Sequence, residues 1–556
     1  MTEADRVLVY LGFFLAAFLI AQTDVRRQRF AEGIAIALAL IAFAALATRL
    51  LPDVFDAGPG LGSGPRLRYP LGYWNADGLT FGIGVAMALW MSRRSLTASL
   101  RWLAVASLPV LLLALYFTFS RGGLLALLVA AGILLALSHD RLWLLGTLAI
   151  GALGALPALL AVQARDSLTE NTSSPITVDQ GQEVLLLLAA GMALALALFA
   201  GLRWLEGRDG GVTGRAVALS RDPKLLKGIA LGAALLAIAV AIAVGGRAWD
   251  QFSSSDLQFP NQPSQHFSDL SGAGRHDFYR VAIDAFGEKP VLGHGAGTYQ
   301  FSWDELRSIP IPVKDAHSVF FEAFAELGLV GGLLVLALFG TLLWTGFAAW
   351  RNARGSQQEL CAVLLATLVA FTVGAAIDWF WEIAALGAIF LLAAGVLVAV
   401  RCAQLAPAEG ETRGRGENRR FGLAVAGLAI AWITALGLIG PLLVDHQIKA
   451  SQKAAAAGDL PSAVNHADTA RSIEPWAATP YVQLGLLAQA QGDYVTAAGR
   501  LSQAINREDR NWLLYYLRSK IEHEAGDLTG ARADLRRAQQ LNPLESCLRE
   551  GWDGCG

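Results

Sequence analysis

Charged side chains are scarce in this chain: Asp, Glu, Lys and Arg make up 16% of its 556 residues, against 54% apolar residues. Motifs for common cofactors are missing as well, since no Walker glycine loop, no dinucleotide-binding glycine fingerprint and no zinc-ligand spacing occurs. ATP, NAD and structural metal are therefore not implied, and no cofactor is expected. A mean hydropathy of +0.45 indicates a membrane protein.

Cysteine is equally scarce, with four in the whole chain. Cys361 and Cys402 lie in or beside apolar segments and are expected to pack there. Cys547 and Cys555 are close enough in sequence for a small disulfide loop, and the sequence leaves open whether it forms. A basic region before the first apolar segment is also missing. That segment is expected to act as a reverse anchor, unless a further helix precedes it.

Apolar segments long enough to cross a bilayer recur along the chain, because about 20 apolar residues span the hydrocarbon core as a helix. Twelve candidate spans lie near 6–22, 30–51, 76–91, 101–118, 122–138, 142–163, 184–205, 226–246, 319–350, 358–380, 384–402 and 421–443. The segment at 319–350 is too long for one perpendicular span, so its first part is expected to lie along the interface. The sequence thus predicts an all-α, polytopic membrane helix bundle over residues 1–443.

Arginine is concentrated in alternate loops, and this alternation predicts the orientation. Loops near 26–29, 93–101, 203–227, 351–354 and 401–420 are rich in arginine, and by the positive-inside rule they face the cytoplasm. The intervening loops at 52–75, 164–183 and 247–316 then lie outside. The long loop at 247–316 and everything after residue 443 are therefore expected on the extracytoplasmic side of the cytoplasmic membrane.

The chain after residue 443 has the character of a soluble, alanine-rich helical domain. The dipeptide Gly-Asp recurs at 458–459, 492–493 and 526–527, which is an interval of 34 residues each time. This is the period of the tetratricopeptide repeat, in which a tight turn joins two closely packed helices. Residues 444–556 are therefore predicted to form an α-solenoid, whose surface binds a protein partner.

Four short polar motifs lie at the predicted outer edge of the membrane, at 70–75, 120–123, 274–280 and 315–318. Ionisable groups at this depth are costly unless they have partners or a function. Arg121, Arg275 and His317 are the leading candidates. His317 stands at the end of the long outer loop, directly before an apolar helix, and Gly328-Leu329-Val330-Gly331-Gly332 follows nine residues after Ser318.

In their order, spacing and common outer side, these motifs resemble the bacterial O-antigen ligases and the related polysaccharide polymerases, over roughly residues 60–400. Many of the polymerases have asparagine where this chain has Ser318. The resemblance implies a helix bundle like that of the GT-C glycosyltransferases, in the bacterial inner membrane. It also implies metal-independent transfer of a glycan from undecaprenyl diphosphate to a hydroxyl of a glycan, lipid or protein acceptor. Nucleic acid is not an expected partner.

The chemistry of the side chains is consistent with that reaction. The planar fork of arginine binds phosphate oxygens bidentately, so Arg121 and Arg275 are predicted to hold the diphosphate. His317 is predicted to act as general base on the acceptor hydroxyl, because histidine titrates near neutral pH. Residues in supporting roles, on the sugar or beside the base, are Trp74, Asn75, Arg280, Glu322 and Glu326.

Each of these residues also has a purely structural interpretation. His317 would cap the following helix, Arg121 would snorkel to the interface, and Arg275 would pair with Asp277 or Asp284. Trp74, like Tyr73, would be an interfacial anchor. Functional alternatives stay open too: a polysaccharide polymerase or a protein O-oligosaccharyltransferase of the same family, a transporter, or a membrane scaffold that presents the repeats.

Overall fold

A computed structural model describes residues 3–55, 57–58, 64–170, 175–207, 245–247, 249–254, 271–406, 432, 436 and 439–555. Throughout these ranges the regular structure is helical, which agrees with the predicted all-α class. Apart from a five-residue helix at Asp166–Glu170, the α-helices up to residue 405 in these ranges are α1 (Glu3–Ile20), α2 (Asp24–Leu50), α3 (Trp74–Arg94), α4 (Ala98–Phe117), α5 (Arg121–Leu137), α6 (Arg141–Gln163), α7 (Pro175–Gly207), α8 (Arg275–Glu288), α9 (Tyr299–Leu306), α10 (Val319–Asn352), α11 (Gly355–Ala375) and α12 (Ala384–Leu405).

Seven of these helices, α2, α4, α6, α7, α10, α11 and α12, are long and apolar enough to cross a membrane, and α1 and α5 are shorter apolar helices. Ten of the predicted spans coincide with helices of the structure, counting α3. The spans predicted at 226–246 and 421–443 fall largely outside the described residues. The structure therefore supports a multi-pass helical membrane protein, and the number of twelve spans stays a prediction.

Helix α3 lies at the centre of the bundle, because every residue from Ala76 to Ser92 is buried. Glycines let α5 cross it closely. A Cβ atom on Gly123 would lie 2.7 Å from the Cα of Gly78, so the two backbones are nearly in contact. This crossing brings together the first residues of the two helices. Those of α3 belong to the predicted outer motif at 70–75, and those of α5 belong to the motif at 120–123.

The bundle has two ends that differ in their contacts. At one end, here called the cavity end, Arg6 pairs with Glu382 at 3.0 Å, and Arg275 pairs with Asp378. At the other end, Gln357 donates to Asp24, and Arg94 pairs with Asp140. The described parts of the arginine-rich loops meet at this second end, and the described parts of the glycine-rich and polar loops meet at the cavity end. Which end faces the cytoplasm stays a prediction.

Helix α10 is broken at Gly328, which has a φ of 63° and a ψ of −161°. The turn at 290–295 packs into the break: Leu329 donates its N–H to the carbonyl of Pro290, and Gly295 donates to the carbonyl of Glu326. A Cβ on Gly328 would lie 2.5 Å from the backbone of Val291. The glycine motif after His317 therefore locks the outer loop onto the membrane helix.

The C-terminal residues form three helix pairs, called the C-terminal helix pairs below. They are α13 (Ile439–Ala456) with α14 (Leu460–Ile473), α15 (Thr479–Ala490) with α16 (Tyr494–Ile505), and α17 (Trp512–Glu524) with α18 (Leu528–Leu541). Each Gly-Asp turn has a left-handed glycine, and its aspartate caps the next helix, as where Asp459 accepts from the N–H of Ser462. Cys547 and Cys555 form a disulfide after the last pair. Cys361 is buried as expected, whereas Cys402 is exposed.

Candidate functional site

A cavity of about 910 Å³ opens at the cavity end of the bundle. Its walls come from four segments that are far apart in sequence: residues 64–75, residues 119–122, the outer loop with Phe252 and residues 271–317, and residues 377–380. Among the residues predicted from sequence, Arg121, Arg275, His317, Trp74 and Asn75 all line it. The structure therefore places the three leading candidates around one space.

The backbone of this cavity is strained at three points. In the described part of the chain, Phe119, Ala273 and His317 are the non-glycine residues with a positive φ, at 45°, 49° and 55°. All three line the cavity. Such conformations cost about 1–3 kcal/mol each and persist where the surrounding structure imposes them, commonly at functional sites.

Asp378 is the centre of a hydrogen-bond network in the cavity wall, and its side chain is 4% exposed. It accepts hydrogen bonds from the Tyr73 hydroxyl at 2.9 Å and from Asn75 Nδ2 at 2.9 Å. Asn75 Oδ1 accepts in turn from the hydroxyl of Ser120. Both ends of the Asn75 amide are therefore bonded to protein, so this residue holds the wall in place instead of offering its amide to a sugar.

Arg275 begins α8 and points its guanidinium at the same carboxylate. Its Nη2 donates to Asp378 at 2.8 Å and its Nε donates to the carbonyl of Ile377 at 2.9 Å. Burial by itself would lower the pKa of Arg275, but the charge of Asp378, the hydrogen bond to it and the nearby Tyr73 and Tyr279 together raise the pKa. The structural alternative of a pair with Asp277 or Asp284 is wrong, because those carboxylates face Arg280 instead.

His317 stands at the end of the outer loop with its ring against Phe278, at a centroid distance of 4.8 Å. Its Nδ1 lies 3.1 Å from the carbonyl of Asp315. Since a carbonyl only accepts, Nδ1 carries the proton and Nε2 is the basic nitrogen. Burial lowers the pKa of His317, and this effect, with the positive charge of Arg275, outweighs the negative charge of Asp378, which acts to raise it. The following helix is capped by the hydroxyl of Ser318, so capping does not explain His317.

Arg121 lies beside Arg275 in the cavity wall. Its Nη2 donates to the carbonyl of Ser271 at 3.0 Å, while Arg275 Nη1 donates to the next carbonyl, that of Gly272, at 3.3 Å. Two guanidinium groups separated by 154 positions in sequence thus bind consecutive peptide units. The two arginines that are predicted to hold the diphosphate therefore lie in the same part of the cavity wall.

Two further arginines, Arg66 and Arg68, line the same cavity. Arg66 lies over the ring of Trp74, 4.9 Å from its centroid, so this tryptophan packs against a cation. Among the described residues, the cavity wall accordingly has four guanidinium groups and one carboxylate, that of Asp378, which is a net charge of three positive with His317 neutral. An anion with two charges is well matched to this excess.

The remaining supporting residues are set back from the cavity. Among the described residues that line it, Arg280, Glu322 and Glu326 are absent. Arg280 faces Asp277 at 3.6 Å and Asp284 at 3.7 Å. Glu322 accepts from the N–H of Ala316, directly before His317, and Glu326 accepts from the N–H groups of residues 297 and 299. These carboxylates hold the loop rather than contact a substrate.

Three carboxylates, those of Asp315, Glu322 and Glu382, lie within 4.8 Å of one another, which is a spacing that metal ligands also have. Protein groups already engage these carboxylates. Glu382 pairs with Arg6 of α1, and Glu322 accepts from the backbone of Ala316. These two carboxylates therefore hold α1 and the residue before His317 in place.

A family model described as O-antigen ligase matches residues 180–336. The match covers less than half of the chain and includes Arg275, His317 and Gly328, whereas Arg121 and Asp378 lie outside it. It agrees with the resemblance found in the sequence and supports a membrane protein of polysaccharide assembly. No curated protein matches the chain.

Sequence reasoning did not include Asp378, Arg66 or Arg68 in the site. Arg66 and Arg68 had a usable signal, because they are arginines in a loop predicted to lie on the side that is poor in them. Asp378 follows the end of α11 and belongs to none of the four predicted outer motifs. Its role depends on Tyr73, Asn75 and Arg275, which lie more than 100 positions away, and no spacing rule connects them.

Proposed function

We propose that the chain transfers a glycan from a polyprenyl diphosphate, such as undecaprenyl diphosphate, to an acceptor hydroxyl at the outer face of the cytoplasmic membrane. The observation that carries this proposal is the meeting of a neutral histidine and an excess of arginine in one cavity at one end of the membrane helices. The match to O-antigen ligases supports the same class of reaction.

In the proposed step, Nε2 of His317 removes the proton of the acceptor hydroxyl as the acceptor oxygen bonds to the anomeric carbon of the donor sugar. The bond from that carbon to the phosphate oxygen breaks, and its electron pair stays on the departing diphosphate. The arginines stabilise the negative charge that develops there. Because this is a single displacement at one carbon, the new glycosidic bond has the opposite anomeric configuration to the donor.

The acceptor is less constrained than the donor. Ligation to a lipid, polymerisation onto another glycan chain and transfer to a protein hydroxyl all use the same donor bond and the same base. The three C-terminal helix pairs, with their 34-residue interval, favour a tetratricopeptide-type domain outside the membrane that binds a protein partner. Because the donor chemistry is shared, a polysaccharide polymerase and a protein O-oligosaccharyltransferase are the related alternatives to a ligase.

The test is the release of polyprenyl diphosphate by purified protein in lipid nanodiscs, given a polyprenyl diphosphate oligosaccharide and, in turn, a lipid, glycan or serine-peptide acceptor. The released polyprenyl diphosphate is the same product with each acceptor, so one measurement serves for all three. Arg121→Lys keeps the charge but loses the bidentate fork, so release should fall, while Arg280→Lys, outside the cavity, should match the unaltered protein. Absence of release with every acceptor would contradict the proposal and would favour the alternatives of a transporter or a membrane scaffold.

A further inference from the structure

The C-terminal helix pairs bind the outer loop through a cation at the start of the third pair. Arg510, two residues before α17, donates to Glu305 at 2.8 Å and to Glu288 at 3.2 Å. Its guanidinium also lies 3.0 Å from Nδ1 of His294. One side chain of the C-terminal segment therefore joins α8, the turn after it and α9.

A second cation joins the same two parts from the loop side. Arg307, which ends α9, donates to Asn542 at 2.8 Å and lies 3.5 Å from Glu545, with its side chain 2% exposed. Nearby, the indole of Trp512 donates to Asp304 at 3.1 Å. A buried arginine is costly without its partners, so the two segments are built to stay together.

These contacts are not features that the repeat requires. The position equivalent to Arg510 in the preceding pair, 34 residues earlier, is Trp476, which is 70% exposed. The position equivalent to Trp512 is Ala478. The Gly-Asp turns are common to all three pairs, whereas the residues that touch the loop are specific to the third.

The contacted helix α9 leads directly to the cavity. Trp303 precedes Asp304 and Glu305, and its indole donates to the carbonyl of Ile311, a residue of the cavity wall. Its ring also meets Phe278 edge-on, with centroids 5.0 Å apart. Phe278 in turn packs on the ring of His317 at 4.8 Å. A continuous path thus runs from the third helix pair, through the backbone of α9 at residues 303–305 and the rings of Trp303 and Phe278, to the histidine.

We propose that the third helix pair, α17 and α18 with the adjoining Arg510, is a positioning element of the site. It fixes α9, and through Trp303 and Phe278 it fixes the orientation of His317. Arg307 and Arg510 are positioning residues, since neither lines the cavity. This inference rests on the proposed function for the role of His317. A partner that binds the repeats and displaces the third pair will accordingly change turnover without touching the substrate.

The test compares Arg510→Glu with the charge-exchanged double variant Arg510→Glu/Glu305→Arg, in the full chain in nanodiscs. Arg536→Ala, which removes an exposed arginine of α18, is the control. Amide hydrogen exchange of residues 299–317 and the kcat and KM of donor consumption are measured on each. We expect Arg510→Glu to raise the exchange and to lower kcat about 10- to 100-fold with little change in KM for the donor, because small displacements of a catalytic group are costly. The double variant restores the ion pair between positions 510 and 305 but not the contacts with Glu288 and His294, so it should recover both quantities in part.

The inference is overturned if Arg510→Glu behaves like Arg536→Ala, or if the double variant remains as impaired as the single one. Hydrogen exchange separates this result from a failure of the proposed function. If the unaltered protein releases no polyprenyl diphosphate while the exchange rises in Arg510→Glu and recovers in the double variant, the loop is held as inferred and the assigned reaction is wrong.

Discussion

His317 combines a strained backbone, a defined tautomer and a lowered pKa. Its φ of 55° is unusual for a residue with a side chain, and the Asp315 carbonyl leaves Nε2 unprotonated. A general base needs to be neutral before it acts, and burial favours that state. These properties suit the proposed role, and they give it a pH dependence.

Transfer by the unaltered protein should hold steady at neutral pH and fall only below the ordinary histidine pKa of 6.5, since burial lowers the pKa of His317. The protonated form, which cannot accept a proton, gains population only in that acidic range. His317→Ala should lose about 10²–10⁴-fold in rate and lose this acidic limb. The measurement is a pH–rate profile of donor release. Near-normal turnover of a well-folded His317→Ala protein would leave the residue a structural role.

A substitution of Asp378 should affect the binding of the donor and the rate of its turnover differently. Replacing Asp378 with asparagine removes the carboxylate that lines the described part of the cavity wall and also the ion pair that orients Arg275. Asp378→Asn should therefore bind the donor at least as well, because the net positive charge rises, and should turn it over more slowly. Donor KM and kcat measure the two effects, with Asp277→Asn, outside the cavity, as control. Weaker donor binding with unchanged kcat would contradict this account.

At the scale of the element, α10 depends on one glycine. Gly328 has a φ of 63°, and an added Cβ would meet the backbone of Val291 at 2.5 Å. Gly328→Ala should lower the midpoint of thermal unfolding, since a left-handed non-glycine residue alone costs about 1–3 kcal/mol. Gly340→Ala, in the same helix with nothing within 4 Å of the added Cβ, should leave the midpoint unchanged. Equal midpoints for the two variants would contradict a locking role for Gly328.

The elements were largely predictable from sequence, and their contacts were not. Apolar length alone predicted the helix at Asp24–Leu50 and the long segment Val319–Asn352. The break in the latter is a local glycine effect, but the turn that fills it lies about 35 positions upstream. Likewise, the Gly-Asp spacing predicted the helix pairs, whereas the attachment of the third pair depends on single side chains such as Arg510, which no periodicity marks.

At the scale of the whole molecule, the two ends of the bundle predict an orientation. The cavity end, the outer loop and the C-terminal helix pairs are joined by direct contacts, so they should lie on one side of the membrane, predicted to be the outer side. Single cysteines introduced at exposed positions of 275–315 and of 460–541, after the native Cys402 is replaced, should react with an impermeant reagent in intact spheroplasts. A cysteine placed in 351–354 should react only after lysis. Labelling of the C-terminal positions only after lysis would reverse the orientation.

The contact of Arg307 with Asn542 and Glu545 also sets an order of assembly. These partners follow Arg307 by 235 and 238 positions. At about 5–20 residues per second, the ribosome needs roughly 10–50 s to make them after Arg307 has been added. During that interval α9 has no attachment to the third helix pair, although the residues that line the cavity are already made. Chains that stop before Asn542 therefore keep the cavity but lack the contacts that position α9, and they should transfer more slowly than chains that include it.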